Sequence, residues 1–200
     1  GTITAAIDTD ETVETLKTLT GTTHEYTIVI AAGDAETTTA ADLNTINGKT
    51  TEAVSLANVT ALTSSSLSDL ETLASDIGDG EFSNATFLTT IAVSGATIEA
   101  DKLAGIIDSF DLINEGATTD MTLASGATID IASAEIAHML VDEGADRLTI
   151  GNQNITVDNG TISVDTANDL DLLTAGTITA AIDTDETVET LKTLTGTTHE

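Results

Sequence analysis

The chain has 200 residues, 34 of them acidic and 5 basic, for a formal net charge of −29, and it contains no proline, cysteine or tryptophan. Five cations cannot build the phosphate-binding stripe that a nucleic-acid ligand requires, an anionic membrane surface repels the chain, and the lack of cysteine excludes disulfides and thiolate metal sites. Hydrophobic residues make up 40% and aromatics only 2%, so a core has to be assembled from Ile, Leu, Val and Ala in thin, repeated layers.

Taken in chain order, short β-rich runs alternate with short helical runs. The strand candidates are TITAAI (2–7), YTIVI (26–30), AVSL (53–56), TFLTTIAV (86–93), DMTLAS (120–125), RLTIG (147–151) and a second TITAAI (177–182). Between them lie helical patterns. DETVETLKTL, AADLNTIN and TANDLDLL are short. SLSDLETLASDI places Leu67, Leu70, Ala74 and Ile77 on one face, EADKLAGIIDSF does so with Leu103, Ile106, Ile107 and Phe110, and ASAEIAHMLVDE with Ile136, Met139 and Leu140. Capping-box spacing opens four of them: Asp8 with Glu11, Thr39 with Asp42, Ser66 with Asp69 and Thr166 with Asp169. Gly21, Gly48, Gly78, Gly116, Gly144 and Gly176 are expected to close the helices.

Residues 1–25, GTITAAIDTDETVETLKTLTGTTHE, return letter for letter at 176–200. The offset makes residues 1–175 one full tandem repeat and 176–200 the start of the next identical repeat. Six strand–helix units in that period average about 29 residues each, a length typical of solenoid coils. Strand, helix and parallel strand form a right-handed crossover. The expected fold is therefore α/β: a right-handed α/β solenoid of about six strand–helix coils per 175-residue period, more β-rich around 117–164. No polar cap is visible at either end, so the chain is expected to be an excerpt of a longer protein. It has no signal peptide and no apolar run of 18 residues, and direct membrane insertion is not expected.

The sequence points to no catalysed reaction. His24 reads as a surface turn residue and His138 as solvent-facing; no Ser/His/Asp arrangement, nucleophile elbow or phosphate loop is present. No catalytic and no cofactor-binding residue is assigned. Calcium is the ligand that the acids suggest, because it takes oxygen-rich loops. SDIGDGEFSN offers Asp76, Asp79 and Glu81 as the metal candidates, although the loop lacks the EF-hand pattern. In IDTDE, Asp8, Asp10 and Glu11, with their copies Asp183, Asp185 and Glu186, are read as helix caps. Four glycosylation-type sequons begin at Asn58, Asn84, Asn154 and Asn159.

The run TAADLNTINGKTTEAVSLANVTALTSS (39–65), preceded by LTGTTHEYTIVIAAGDAETT, resembles the repeats of giant cell-surface proteins of marine cyanobacteria, over roughly residues 1–75 and 176–200. The resemblance implies a secreted, acidic, surface-attached or filament-forming protein and carries over no catalytic residue. The expectation is a structural extracellular fibre or giant cell-surface protein, not an enzyme, in which neighbouring identical repeats stack end to end. Glycans or the cell envelope are the expected attachment partners. The alternatives are a calcium-stiffened adhesin stalk and, more remotely, a polysaccharide-acting β-solenoid enzyme.

Overall fold

A computed structural model describes residues 1–34, 37–85, 88–113 and 119–196. It is a mixed α/β protein in which every named strand pairing is parallel. In chain order the elements are β1 (Thr4–Ala6), α1 (Val13–Lys17), β2 (Glu25–Thr27), α2 (Ala40–Asn47), β3 (Val54–Ser55), β4 (Ala61–Ser65), α3 (Leu67–Gly78), β5 (Phe82–Ser83), β6 (Thr90–Val93), β7 (Thr97–Glu99), α4 (Ala100–Ile113), β8 (Asp120–Leu123), β9 (Thr128–Ala132), α5 (Ile136–Gly144), β10 (Leu148–Thr149), β11 (Asn154–Asn159), α6 (Val164–Leu173), β12 (Ile178–Thr179) and α7 (Val188–Leu191). Parts of two expected features, residues 86–87 of the fourth strand and Gly116, lie outside the described residues, as does His199.

The chain divides into two compact units, one of Gly1–Ser94 with Ile106–Met121, the other of Gly95–Gly105 with Thr122–Glu200. Within the first, β1 pairs with β2, β3 with β5 and β4 with β6, and a lone bridge joins Val29 to Ser55. Within the second, the sheet order is β12-β11-β9-β7. Its register places Ile98, Ile129, Ile155 and Ile178 opposite one another in a single column, and all four are buried. β-branched side chains stacked in this way pack well on a pleated surface, which explains how a core with so few rings holds together.

Five helices, α1, α2, α3, α6 and α7, carry an N-terminal side-chain cap, and α1, α2 and α6 are also capped from further along the chain, whereas α5 has no side-chain cap. Thr12, Thr39, Ser66, Ser163 and Thr187 each accept a hydrogen bond from the backbone N–H three residues on. The first helical N–H is then bound from further along the chain. Val13 N donates to Asp34 Oδ2 (2.8 Å), Ala40 N to Ser65 Oγ (2.9 Å) and Val164 N to Glu186 Oε1 (3.1 Å). Thr39 with Asp42 is a complete capping box, as expected. The pairs Asp8/Glu11 and Thr166/Asp169 do not cap: α1 and α6 start later or earlier than the spacing indicated, at Thr12 and Ser163. Among the described residues the expected glycines do not close the helices as left-handed caps: Gly21 has a positive φ of 93° but lies beyond the Thr18 C-cap of α1, Gly48 is right-handed, and Gly78 and Gly144 end α3 and α5, with positive φ at Gly80 and Asp146 just beyond them.

Gly176 is small for a different reason. A Cβ there would lie 2.2 Å from the carbonyl oxygen of Gln153, whose backbone passes directly beneath it, whereas a Cβ on Gly1, the same position of the earlier copy, meets nothing within 4 Å. Gly176→Ala is expected to cost about 1–3 kcal/mol in urea unfolding through overpacking, and Gly1→Ala to leave the midpoint unchanged.

Candidate functional site

Asp76 sits in the last turn of α3, Asp79 follows as its C-cap, and Glu81 enters β5. The helix end and the turn bring the first and last of these together. The Asn47 side-chain amide of α2 donates to Asp76 Oδ2 (3.2 Å) and to a Glu81 carboxylate oxygen. Glu81 N in turn donates to Asp76 O (2.9 Å), and Val54 N to Glu81 O (2.9 Å). Asp79 and Glu81 then line a cleft of about 430 Å³ with Asn47, Thr50, Thr51, Glu52, Ala53 and Gly80. Partial burial, and then the charges of Glu81 and Asp79, push the Asp76 carboxyl above its ordinary 3.8, with the Asn47 hydrogen bond pulling the other way. Among the described residues no group of three or more His, Asp or Glu is placed to hold a metal ion.

A second acidic cleft, of about 520 Å³, was not anticipated. It lies on the second unit and is lined by Glu99, Asp101, Asp130, Ala132, Glu135, Asp158 and Asn159. The parallel register sets Glu99 directly beside Asp130. Lys102 forms an ion pair with Glu99. The signal in the sequence is faint: acids recurring one coil apart at strand ends, visible only once the register is known.

The IDTDE acids serve the fold. Asp183 Oδ1 accepts from Asp185 N (3.1 Å), and Glu186 caps Val164 of α6. Glu186 thus binds a backbone N–H of the preceding coil rather than starting its own helix. Three of the four sequon asparagines spend their side chains in the same way. Asn58 donates to Ile30 O (2.8 Å), Asn84 to Ser55 Oγ (3.1 Å), and Asn154 Oδ1 accepts from Thr177 N (2.9 Å).

Both described histidines have partners, His24 across the chain and His138 one turn along its own helix. His24 is half-buried; its Nδ1 accepts from Ile3 N (3.1 Å) and its ring lies 5.2 Å from that of Tyr26. His138 leans toward Asp142, 3.7 Å from Oδ2. Asp142, 1% exposed, takes Arg147 Nη2 at 2.9 Å, and Arg147 N donates to Asp142 O. Arg147 is the chain's one arginine. A buried carboxylate is tolerable only with such a partner, so Arg147→Met is expected to lower stability by about 3–5 kcal/mol in denaturant unfolding, the cost of leaving the charge unpaired.

Asp42 contrasts with Asp76. Burial alone would push its carboxyl up, but hydrogen bonds from Lys17 and Thr39 outweigh it and hold the group below 3.8. Lys17 Nζ lies 2.7 Å from Asp42 Oδ1 and 2.6 Å from Glu14 Oε1. The two acids thus predict opposite pH behaviour. Asp42 stabilises the fold above pH 3.8 and loses that contribution as the pH falls through its lowered value, so Asp42→Asn should reduce the unfolding midpoint at neutral pH. Asp76 disfavours the fold while charged and ceases to do so as the pH falls through its raised value, so Asp76→Asn should raise the midpoint at neutral pH. Both differences should close once the pH is well below 3.8, as read from urea midpoints measured across the acid range.

No protein-family model matches this chain, and no curated protein or solved structure matches it significantly. No helix among the described residues is long and apolar enough to cross a membrane.

Proposed function

We propose that the chain is one full repeat, with the start of the next, of a structural extracellular fibre or giant cell-surface protein, built as a right-handed α/β solenoid whose repeats stack end to end into a superhelical rod. The observation that carries this reading is the narrow range of the pairing offset. Thr4 lies opposite a residue 21 positions on, Val29 one 26 on, Ala61 one 29 on, Thr97 one 31 on, Ile155 one 23 on and Ile162 one 20 on. Each coil of chain therefore meets the next coil, as stacked solenoid turns do. The identical copies at 1–25 and 176–200, the scarcity of Lys and Arg, and the resemblance to cyanobacterial surface repeats support the same reading.

Parallel strands stack about 4.8 Å apart, so six coils advance a rod by roughly 29 Å per 175-residue period. Electron microscopy of a chain of many repeats should give that rise, and antibody labelling of intact cells should place it at the surface. A rise far above about 35 Å, or a protein confined to the cell interior, sinks the reading.

A calcium-stiffened stalk is the second reading, favoured by the nearby charges of Glu81 and Asp79, which add to burial in raising the Asp76 carboxyl. An ion there has to replace the Asn47 amide, which now holds Asp76 and Glu81. Calorimetric titration with calcium decides it: heat and a raised melting temperature that vanish in Asp76→Asn support the stalk, and their absence removes it.

A further inference from the structure

The two identical copies stand in complementary surroundings, and the difference between them supplies a joint for the tandem array proposed above, whose existence the joint presupposes. In the second copy the groups turned toward the preceding coil are Thr177 O, accepting from Ile155 N (2.9 Å), Ala181 O, accepting from Ile162 N (2.9 Å), and Asp183 N, donating to Ile162 O (2.9 Å). Their counterparts in the first copy are Thr2, Ala6 and Asp8. In the first copy the groups turned toward the following coil are Ile3 O, accepting from Glu25 N (2.9 Å), and Ile7 N, donating to Thr27 O (3.0 Å). Numbered in the first copy, one set is even and the other odd, so the two edges of the same strand serve two neighbours and no backbone group is claimed twice.

The side chains divide in the same way. Ile178 is 6% exposed against β11, while Ile3 is 51% exposed. Val13 and Leu16 are 6% and 1% exposed where α1 packs on α2, while Val188 and Leu191 are 69% and 40% exposed. Lys17 holds both Glu14 and Asp42; Lys192 holds Glu189, the intrahelical half of that arrangement.

We infer that Val188, Leu191, Lys192 and the outer edge of the strand run 178–182 (the amide of Ile182) form a docking face, and that its occupant is a following copy of residues 26–47. That stretch carries what the face lacks: a strand in register, an acid at the Asp34 position for the first N–H of α7, an acid at the Asp42 position for Lys192, and an α2 helix to cover Val188 and Leu191. The first copy holds this occupant already, on the same sequence.

The test is a chain in which residues 26–200 follow Glu200, compared with the 200-residue chain. Amide exchange of Ile182 should slow at least about tenfold in the lengthened chain, as expected for an amide that gains a ladder partner. Leu191→Ala should lower the melting temperature of the lengthened chain and leave that of the 200-residue chain unchanged. Lys192→Met, an exposed change that keeps the fold, should show the same dependence on length. If Ile182 exchanges equally fast in both chains and neither substitution responds to length, the docking face is wrong. That failure is distinguishable from failure of the fibre reading. Ile182 protected in the lengthened chain, with the native protein found inside the cell, keeps the joint and removes the fibre. A many-repeat surface rod in which Ile182 and Lys192 do not respond removes the joint and keeps the surface assignment.

Discussion

Each short strand is completed by parallel pairing with a segment 20–31 residues further along the chain, and the rest of the structure depends on that constraint. β1 spans three residues and β12 two, far too few to persist alone. They exist because β2 and β11 lie in register beside them. The helices are bound by the same rule. The first N–H of α1, α2 and α6 is satisfied by Asp34, Ser65 and Glu186, each one coil further on. A segment without its partner would leave those donors and its apolar face uncovered, so in the proposed solenoid the energetics are those of nearest neighbours.

The acidity follows from this construction. Four of the five cations sit on carboxylates: Lys17 on Glu14 and Asp42, Lys102 on Glu99, Arg147 on Asp142 and Lys192 on Glu189. Other acids accept from backbone N–H groups instead, as Asp34 and Glu186 do. A carboxylate suits that task because the N-terminal end of a helix is partially positive. The cost is like-charge crowding, where register sets Glu99 beside Asp130 and where the end of α3 and its turn gather Asp79 and Glu81 around Asp76. Salt screens such repulsion over roughly 8 Å at physiological ionic strength, so stability of this chain should grow with salt rather than fall.

What could be read in the sequence was whatever depends on local pattern. AADLNTIN gives α2 at 40–47 with its Thr39/Asp42 box, and the face Leu103, Ile106, Ile107 and Phe110 is buried in α4. The parallel α/β class follows from the alternation of strand and helix patterns. Most of the misses share one cause, that the deciding partner lies about one coil away. Glu11 looks like a capping acid for its own helix, yet its copy Glu186 caps Val164. His24 looks like a turn residue, yet its ring accepts from Ile3 N. Asp142 is a nearer case: it breaks the apolar pattern of α5 and is buried because Arg147, just past the helix end, returns to it. The second acidic cleft is assembled wholly by register, and no local window contains it.

Identity between the copies is itself a physical demand in the proposed array. A segment internal to a stack must be apolar toward both neighbours, and in this chain Ile3 and Leu16 answer to opposite ones: Ile178, the copy of Ile3, is buried against the preceding coil, and Leu16 against the following one. Neither residue is explained by the surroundings of one copy alone, since Ile3 and Leu191 are exposed where they stand. A coil that ends a stack needs only one of the two, and gains solubility if the other becomes polar. Retaining both, with one strand edge for each neighbour, suits an interior coil of the proposed array and lets the same 25 residues serve in both places.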